Sequence, residues 1–109
     1  MTLTPGEVVL IRIDFHQTQG GKLRPAVVLL DPGDDDFVGA PITSRSRGSD
    51  FDIAVQYWSE AGLNVPSTIR VHKLTVLAKD EVVRRLGILA EPDRKVLANV
   101  LQRAFSLNV

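Results

Sequence analysis

The sequence predicts an α+β domain dominated by β-strands, in which several short strands precede one C-terminal helix. Two patterns support this fold class. Segments rich in β-branched residues recur at short intervals and are separated by Gly, Pro and Asp clusters. One stretch near the C-terminus instead repeats its apolar residues at helical spacing. Strands this short and this close together favour a small barrel or a strongly twisted sheet. The 109 residues match the usual size of one domain, so we predict a single domain over residues 1–109.

The first half of the chain predicts three strands, each bounded by turn-forming residues. The predicted strands are Glu7–Phe15, Arg24–Leu30 and Phe37–Thr43. Between the first two, the polar segment His16–Leu23 contains a Gly-Gly pair and predicts a loop. Between the second and third, Asp31–Asp36 combines Asp, Pro and Gly and predicts a tight turn.

The second half predicts two further strands, a short helix and a longer one. The predicted strands are Phe51–Tyr57 and Thr68–Leu77, with Trp58–Ser67 as the loop between them. Lys79–Leu86 predicts a short helix because its acids precede its arginines, as the helix dipole prefers. Glu91–Leu107 predicts the closing helix. Its apolar stripe predicts a core or subunit contact and consists of Val96, Leu97, Val100, Leu101, Ala104 and Phe105.

The composition excludes several kinds of site. The chain has no cysteine, which rules out disulfides and thiolate zinc sites, and its two histidines give little basis for a transition-metal site. We therefore expect no metal and no cofactor. The N-terminus shows no secretory signal pattern and no apolar stretch reaches membrane-spanning length, so a cytoplasmic location without membrane contact is expected.

Charge is unevenly distributed along a chain whose net charge is zero. Four carboxylates fall within Asp31–Asp36, whereas basic residues flank the other loops. If the fold gathers those loops at one end, they form a basic cleft suited to nucleic acid; otherwise they only solvate the loops. The basic residues concerned are Lys22, Arg24, Arg45, Arg47, Arg70 and Lys73.

Arg24 is held in a stiff setting by the proline that follows it. Pro25 fixes its own φ angle and pushes Arg24 into extended geometry. A guanidinium held in this way can bind two phosphate oxygens at once. On this stretch alone, an ordinary surface arginine at a strand start explains the pattern as well.

Five segments, taken together and in order, resemble the MazF/PemK toxins, the endoribonuclease halves of bacterial toxin–antitoxin pairs. The resemblance covers essentially the whole chain. The segments are GEVVLIRIDF, RPAVVLL, Ile42-Thr43-Ser44, WSEAGLNVPSTIRVHKL and Leu86-Gly87-Ile88-Leu89.

The resemblance implies a small SH3-like, CcdB/PemK-type partly open barrel with a C-terminal helix, paired as a homodimer. It implies metal-independent cleavage of single-stranded mRNA at short sequences, by attack of the 2′-hydroxyl on its own phosphate. DNA lacks that hydroxyl and would not be cut. A cognate antitoxin would inhibit the enzyme by covering its RNA groove.

The resemblance also implies roles for individual residues. Arg24 would stabilise charge on the scissile phosphate, and Thr43 would donate a hydroxyl hydrogen bond to it. The alternative for Thr43 is a strand-terminal threonine that caps the next turn, and its pairing with Arg24 favours the catalytic role. His16 and His72 are candidates for proton transfer, because histidine titrates near neutrality. The residues expected to hold RNA are Lys22, Ser44, Arg45, Arg47, Arg70 and Lys73.

The chain departs from several relatives at two positions. They carry an aspartate about where His72 stands and an arginine a few residues later, where this chain has Thr75. Three explanations stay open: His72 takes the aspartate's role, Arg70 replaces the missing cation, or His72 is a rim residue whose ring packs on the sheet. Two other functions compete with the ribonuclease: a non-catalytic CcdB-like gyrase-binding toxin, and a degenerate member that only binds RNA or an antitoxin. The pairing of Arg24 with Thr43 favours the ribonuclease.

Trp58 is expected to anchor its loop to the barrel.

Overall fold

An antiparallel sheet of seven strands, followed by one α-helix, accounts for most of the computed structural model, which describes residues 1–13, 22–45 and 48–108. The strands are β1 (Glu7–Ile13), β2 (Lys22–Leu30), β3 (Asp36–Thr43), β4 (Asp52–Ala54), β5 (Thr68–Arg70), β6 (Thr75–Ala78) and β7 (Val82–Ile88). The helix α1 spans Glu91–Ala104. Within the described residues, no helix has both the length and the apolar character needed to cross a membrane.

The strand order along the sheet is β4-β5-β3-β2-β1-β7, and β6 pairs with β3 outside this path. On the side away from β2, the first half of β3 pairs with β6 and its last residues pair with β5. Among the described strands, the two ends of the order, β4 and β7, are not paired with each other, so the sheet is not closed. The predicted partly open barrel with a C-terminal helix is confirmed.

Two apolar clusters lie on opposite faces of β1 and β2, because successive side chains of a strand point to opposite sides. Val8 and Val27 belong to the larger cluster, against which Leu97 and Val100 of α1 pack. The smaller cluster is centred on Phe37, which is fully buried. Full burial of one such side chain stabilises the fold by about 1.5–3 kcal/mol.

The prediction of a short helix over Lys79–Leu86 is wrong. Lys79–Glu81 forms a single 3₁₀ turn, and Val82–Ile88 is the strand β7, which pairs antiparallel with β1. The Lys79 ammonium lies 2.8 Å from the Asp31 carboxylate, which fixes the start of this segment. The backbone hydrogen bonds to β1 outweigh the weak preference that the charge order gives to a helix.

The fourth and fifth predicted strands are shorter than expected. The fifth is interrupted by a 3₁₀ turn over Val71–Lys73, where the Val71 amide donates to the Phe51 carbonyl at 3.0 Å. In the fourth, the Val55 amide still donates to the Ser67 carbonyl beside β5, but the next two amides have a partner outside the sheet. Those of Gln56 and Tyr57 donate to the buried carboxylate of Asp93 in α1, both at 2.9 Å.

The predicted apolar stripe of α1 is only partly covered. Leu97 and Val100 are buried and Leu101 is half-buried, whereas Val96 and Phe105 are exposed. The helix ends at Ala104, three residues before the predicted end.

The backbone of residues 61–62 lies directly against that of residues 86–87. Gly62 has a φ of +88°, and a Cβ placed on it would lie 2.1 Å from the carbonyl oxygen of Leu86. A Cβ on Gly87 would lie 2.6 Å from the carbonyl oxygen of Ala61. No side chain fits between the two segments, so this contact requires both glycines. Trp58, in the same loop, packs half-buried against the larger core cluster, as predicted.

Candidate active site

A cleft of about 440 Å³ lies where β2, β3 and β5 are neighbours in the sheet. Four of the residues predicted from the sequence line it: Arg24, Thr43, Arg70 and Lys73. Its apolar walls come from Ile13, Pro41 and Ile42. Ala26 of β2 lies opposite Pro41 of β3. Two residues further towards the start of β2 and the end of β3, the same antiparallel register places Arg24 opposite Thr43. The antiparallel order of the central strands therefore assembles side chains that are far apart in the sequence.

Arg24 is an exposed residue near the start of β2, and the strand behind it is firmly anchored. Pro25 is half-buried, and Ala26, Val27 and Val28 are buried. β2 is also hydrogen-bonded to strands on both sides. The guanidinium thus extends from one of the most constrained parts of the sheet into a cleft with two other cations.

Thr43, the last residue of β3, uses its hydroxyl oxygen locally. Oγ1 accepts a hydrogen bond from the Arg45 amide at 3.1 Å, which stabilises the turn after the strand. A threonine hydroxyl has one hydrogen to donate in addition to its lone pairs. Stabilising the turn therefore leaves the hydroxyl hydrogen free to donate into the cleft.

Arg70, the last residue of β5, is fixed by an aspartate that sequence reasoning missed. Its Nε donates to Oδ1 of Asp52 at 3.0 Å, and the Asp52 side chain is only 1% exposed. Burial alone would raise the pKa of Asp52, but hydrogen bonds from Ser49 and the Arg70 guanidinium outweigh it and lower that pKa below its ordinary value. The carboxylate is therefore ionised at neutral pH.

His72 lies beside Arg70 and is exposed on the 3₁₀ turn. Its Nε2 is 3.4 Å from Nη2 of Arg70, and its ring centroid is 6.3 Å from that of Phe51. A guanidinium can only donate hydrogen bonds, so this contact uses the lone pair of Nε2. His72 is not among the residues that line the cleft.

The remaining predicted residues are more dispersed. Lys22 and Arg45 are exposed at the start of β2 and just after β3. Ser44 lines a separate cleft of about 280 Å³ together with Pro25 and Arg84. His16 and Arg47 lie outside the described residues, so their predicted roles stay predictions.

The acidic turn after β2 is organised around Asp31. Its carboxylate accepts hydrogen bonds from the amides of Leu3 and Gly33 and pairs with Lys79, each at 2.8 Å. These hydrogen bonds lower the pKa of Asp31 to about 2. Within residues 1–13, 22–45 and 48–108, no group of three or more His, Asp or Glu side chains is arranged to hold a metal ion.

Comparison with known proteins gives one family match and several structural matches. Residues 4–105 match the family described as PemK-like, MazF-like toxin of type II toxin–antitoxin systems. No curated protein matches the sequence significantly.

Solved structures with the same fold cover nearly the whole chain. The toxin MazF-mt6 of Mycobacterium tuberculosis is 24% identical, with a TM-score of 0.76 over 94% of this chain and 99% of its own. A mycobacterial endoribonuclease in complex with its cognate antitoxin is 16% identical, with a TM-score of 0.78 over 99% of both chains. A MazE–MazF structure from Deinococcus radiodurans is 19% identical, with a TM-score of 0.74 over 95% of this chain and 96% of its own.

Proposed function

Since the chain belongs to the PemK-like, MazF-like toxin family of type II toxin–antitoxin systems, we propose that it is a metal-independent endoribonuclease that cleaves single-stranded mRNA at short sequences. The observation that carries this proposal is the convergence of Arg24, Thr43 and Arg70 on one cleft. Two guanidinium groups and a free hydroxyl hydrogen suit a dianionic phosphorane-like transition state. In the family, such an activity arrests growth until an antitoxin blocks it.

In the proposed reaction the ribose 2′-oxygen attacks the adjacent phosphorus. The new O2′–P bond forms as the P–O5′ bond breaks, which leaves a 2′,3′-cyclic phosphate and a free 5′-hydroxyl. Arg24 binds the non-bridging oxygens in a bidentate manner and stabilises their growing charge. Thr43 donates its hydroxyl hydrogen to the same phosphate, and Arg70 supplies the second cation.

One proton leaves the 2′-hydroxyl and one reaches the departing 5′-oxygen. Histidine is the side chain best suited to both transfers near neutral pH. His16 and His72 are the two candidates in this chain. Because Nε2 of His72 faces Arg70, this histidine must turn away from the guanidinium before it can accept the 2′ proton.

RNA on either side of the scissile phosphate would be held by charged and polar residues around the cleft. We assign this role to Lys22, Ser44, Arg45, Arg47, Arg70 and Lys73. We further propose a homodimer of one toxin domain per chain, acting in the cytoplasm and inhibited by a cognate antitoxin. Two relatives have been solved with their antitoxin or with MazE, which supports a protein inhibitor for this chain as well.

Incubation with a long unstructured RNA in EDTA tests the proposal. The wild-type protein is expected to yield discrete fragments with cyclic-phosphate ends, and Arg24→Ala is expected to leave the RNA intact. Arg85→Ala is the matched control, because Arg85 is a half-exposed arginine on β7 that pairs with Glu7 and does not line the cleft. It should cleave as the wild type does.

Two outcomes contradict the proposal. Cleavage that survives Arg24→Ala means a contaminating nuclease or a different active site. Intact RNA with the wild-type protein favours a non-catalytic toxin, and inhibition of gyrase is then the assay that separates a CcdB-like poison from a member that only binds RNA or an antitoxin.

A further inference from the structure

We propose that Asp52 is a positioning residue for RNA cleavage, which holds the Arg70 guanidinium in the orientation that faces the cleft. This inference rests on the proposed endoribonuclease function. Asp52 lies behind Arg70 and is not among the residues lining the cleft. It would therefore act only through Arg70.

The geometry of the pair leaves Arg70 little freedom. Asp52 and Arg70 are opposite one another in the β4–β5 register, so their side chains leave neighbouring backbone positions. The Nε–Oδ1 bond of 3.0 Å occupies the inner edge of the guanidinium. Of the terminal nitrogens, Nη2 contacts Nε2 of His72 at 3.4 Å. The Arg70 side chain, 24% exposed, lines the cleft with Arg24 and Thr43.

Asp52 is itself held from the opposite side. Its Oδ2 accepts a hydrogen bond from the Ser49 amide at 3.0 Å, and Oγ of Ser49 accepts one from the Phe51 amide at 3.3 Å. The Phe51 carbonyl in turn accepts from Val71, the residue after Arg70. The carboxylate and the backbone that carries Arg70 are thus tied into one network.

Burial explains how a negative charge is tolerated close to an RNA site. The Asp52 side chain is almost completely inaccessible, so an incoming phosphate meets the guanidinium and not the carboxylate. Neutralising Asp52 would raise the net positive charge beside the cleft by one. Arg70, one of the residues assigned to RNA binding, keeps its charge in this variant, so RNA binding should hold or tighten even as the orientation of the guanidinium is lost.

A positioning role for Asp52 therefore predicts a lower kcat without a higher KM. For Asp52→Asn we expect kcat to fall about 10- to 100-fold, in the range known for misplacement of a reacting group by about 1 Å. We expect KM to stay constant or decrease. A smaller active fraction would also lower the apparent kcat at constant KM, so kcat is expressed per folded molecule, with the folded fraction of each variant measured by circular dichroism.

Asp93→Asn is the matched control. Asp93 is also a buried aspartate, 3% exposed, but it binds the amides of Gln56 and Tyr57 and lies outside the cleft. Its replacement should lower thermal stability while the folded protein keeps the wild-type kcat and KM.

A double-mutant cycle with Arg70→Ala assigns the effect of Asp52. If Asp52 acts through Arg70, adding Asp52→Asn to Arg70→Ala should lower kcat by less than about 2-fold more. An equal loss in both backgrounds, or wild-type kcat for Asp52→Asn alone, would overturn the proposal.

A second measurement does not depend on cleavage. In ¹H–¹⁵N NMR spectra, the Nε–H of Arg70 should exchange slowly with water in the wild type and at least about 10-fold faster in Asp52→Asn, because a neutral amide oxygen accepts a weaker hydrogen bond than the carboxylate it replaces. Equal exchange in the two proteins would overturn the positioning role. If the wild type cleaves no RNA, the proposed function falls, and this measurement still decides whether Asp52 holds Arg70.

Discussion

Replacement of Gly62 by alanine tests the contact between residues 61–62 and residues 86–87. Two costs coincide at this position. The φ of +88° is one that side chains rarely adopt, and the new Cβ would lie 2.1 Å from the carbonyl oxygen of Leu86. Two other glycines separate these costs. Gly33 has a φ of +99° with nothing within 4 Å of a Cβ, whereas Gly87 has the close contact without a positive φ.

The expected magnitudes follow from this comparison. Gly33→Ala should lower the free energy of unfolding by about 1–2 kcal/mol, the cost of the left-handed backbone region. Gly87→Ala should lower it by about 1–3 kcal/mol, the usual cost of overpacking. Gly62→Ala combines both and should lose about 2–5 kcal/mol, a large part of the about 5–15 kcal/mol that stabilises a typical domain.

Urea unfolding of the four proteins, at one protein concentration and with a common m-value, measures these differences. The reasoning is refuted if Gly62→Ala loses no more stability than Gly33→Ala, because the carbonyl of Leu86 would then not obstruct the new methyl group. It is also refuted if Gly87→Ala is neutral.

Three further predictions concern the site, acid stability and the core. Thr43→Val should lower kcat by about 10²–10³-fold while Thr43→Ser retains most activity, since only serine keeps a donating hydroxyl; similar kcat values for the two would contradict the role of the hydroxyl. Because the pKa of Asp31 is lowered from 3.8 to about 2, the stabilisation it provides is complete above about pH 4 and is lost as the pH falls towards 2. In urea titrations, Asp31→Asn should therefore be less stable at pH 7 and lose less stability than the wild type between pH 4 and pH 2; parallel curves would contradict this. Phe37→Ala should lower the free energy of unfolding by about 3–5 kcal/mol, because Phe37 is fully buried, and a loss below 1 kcal/mol would show that its cluster can close the cavity.

The sequence was enough to predict four elements: β1, β2, β3 and α1. The apolar pattern that identifies each of them lies within its own residues. The buried run after Pro25 and the helical spacing around Leu97 and Val100 need no distant partner to be recognised. The segment Lys79–Leu86 could not be assigned in this way. Its conformation depends on pairing with β1, more than 70 residues earlier in the sequence, and local charge order pointed to a helix instead.

The residues of the candidate site also differ in whether their local sequence identifies them. Arg24 and Thr43 lie in short motifs that could be recognised, and the structure brings them to one cleft. Asp52 and Asp93 were missed because a buried carboxylate is defined by its partners. For Asp52 the charged partner, Arg70, is 18 residues away and only Ser49 is near in the sequence; the partners of Asp93 are 36 and 37 residues away. Neither aspartate belongs to a motif, and their neighbouring residues give no sign that they are buried.

The residues of the cleft stand on strands that differ in length and in position within the sheet. Arg24 and Thr43 stand on the long strands β2 and β3, each with neighbours on both sides, whereas Arg70 stands on β5, whose outer neighbour is the three-residue edge strand β4. Short edge ribbons open at lower free energy than central strands. Brief opening of β4 and β5 would therefore withdraw Arg70 and separate Thr43 from its partner Thr68, while Arg24 stays in place on β2. A phosphate that bridges both arginines binds only the closed ribbon, so substrate binding and closure of the ribbon would stabilise each other.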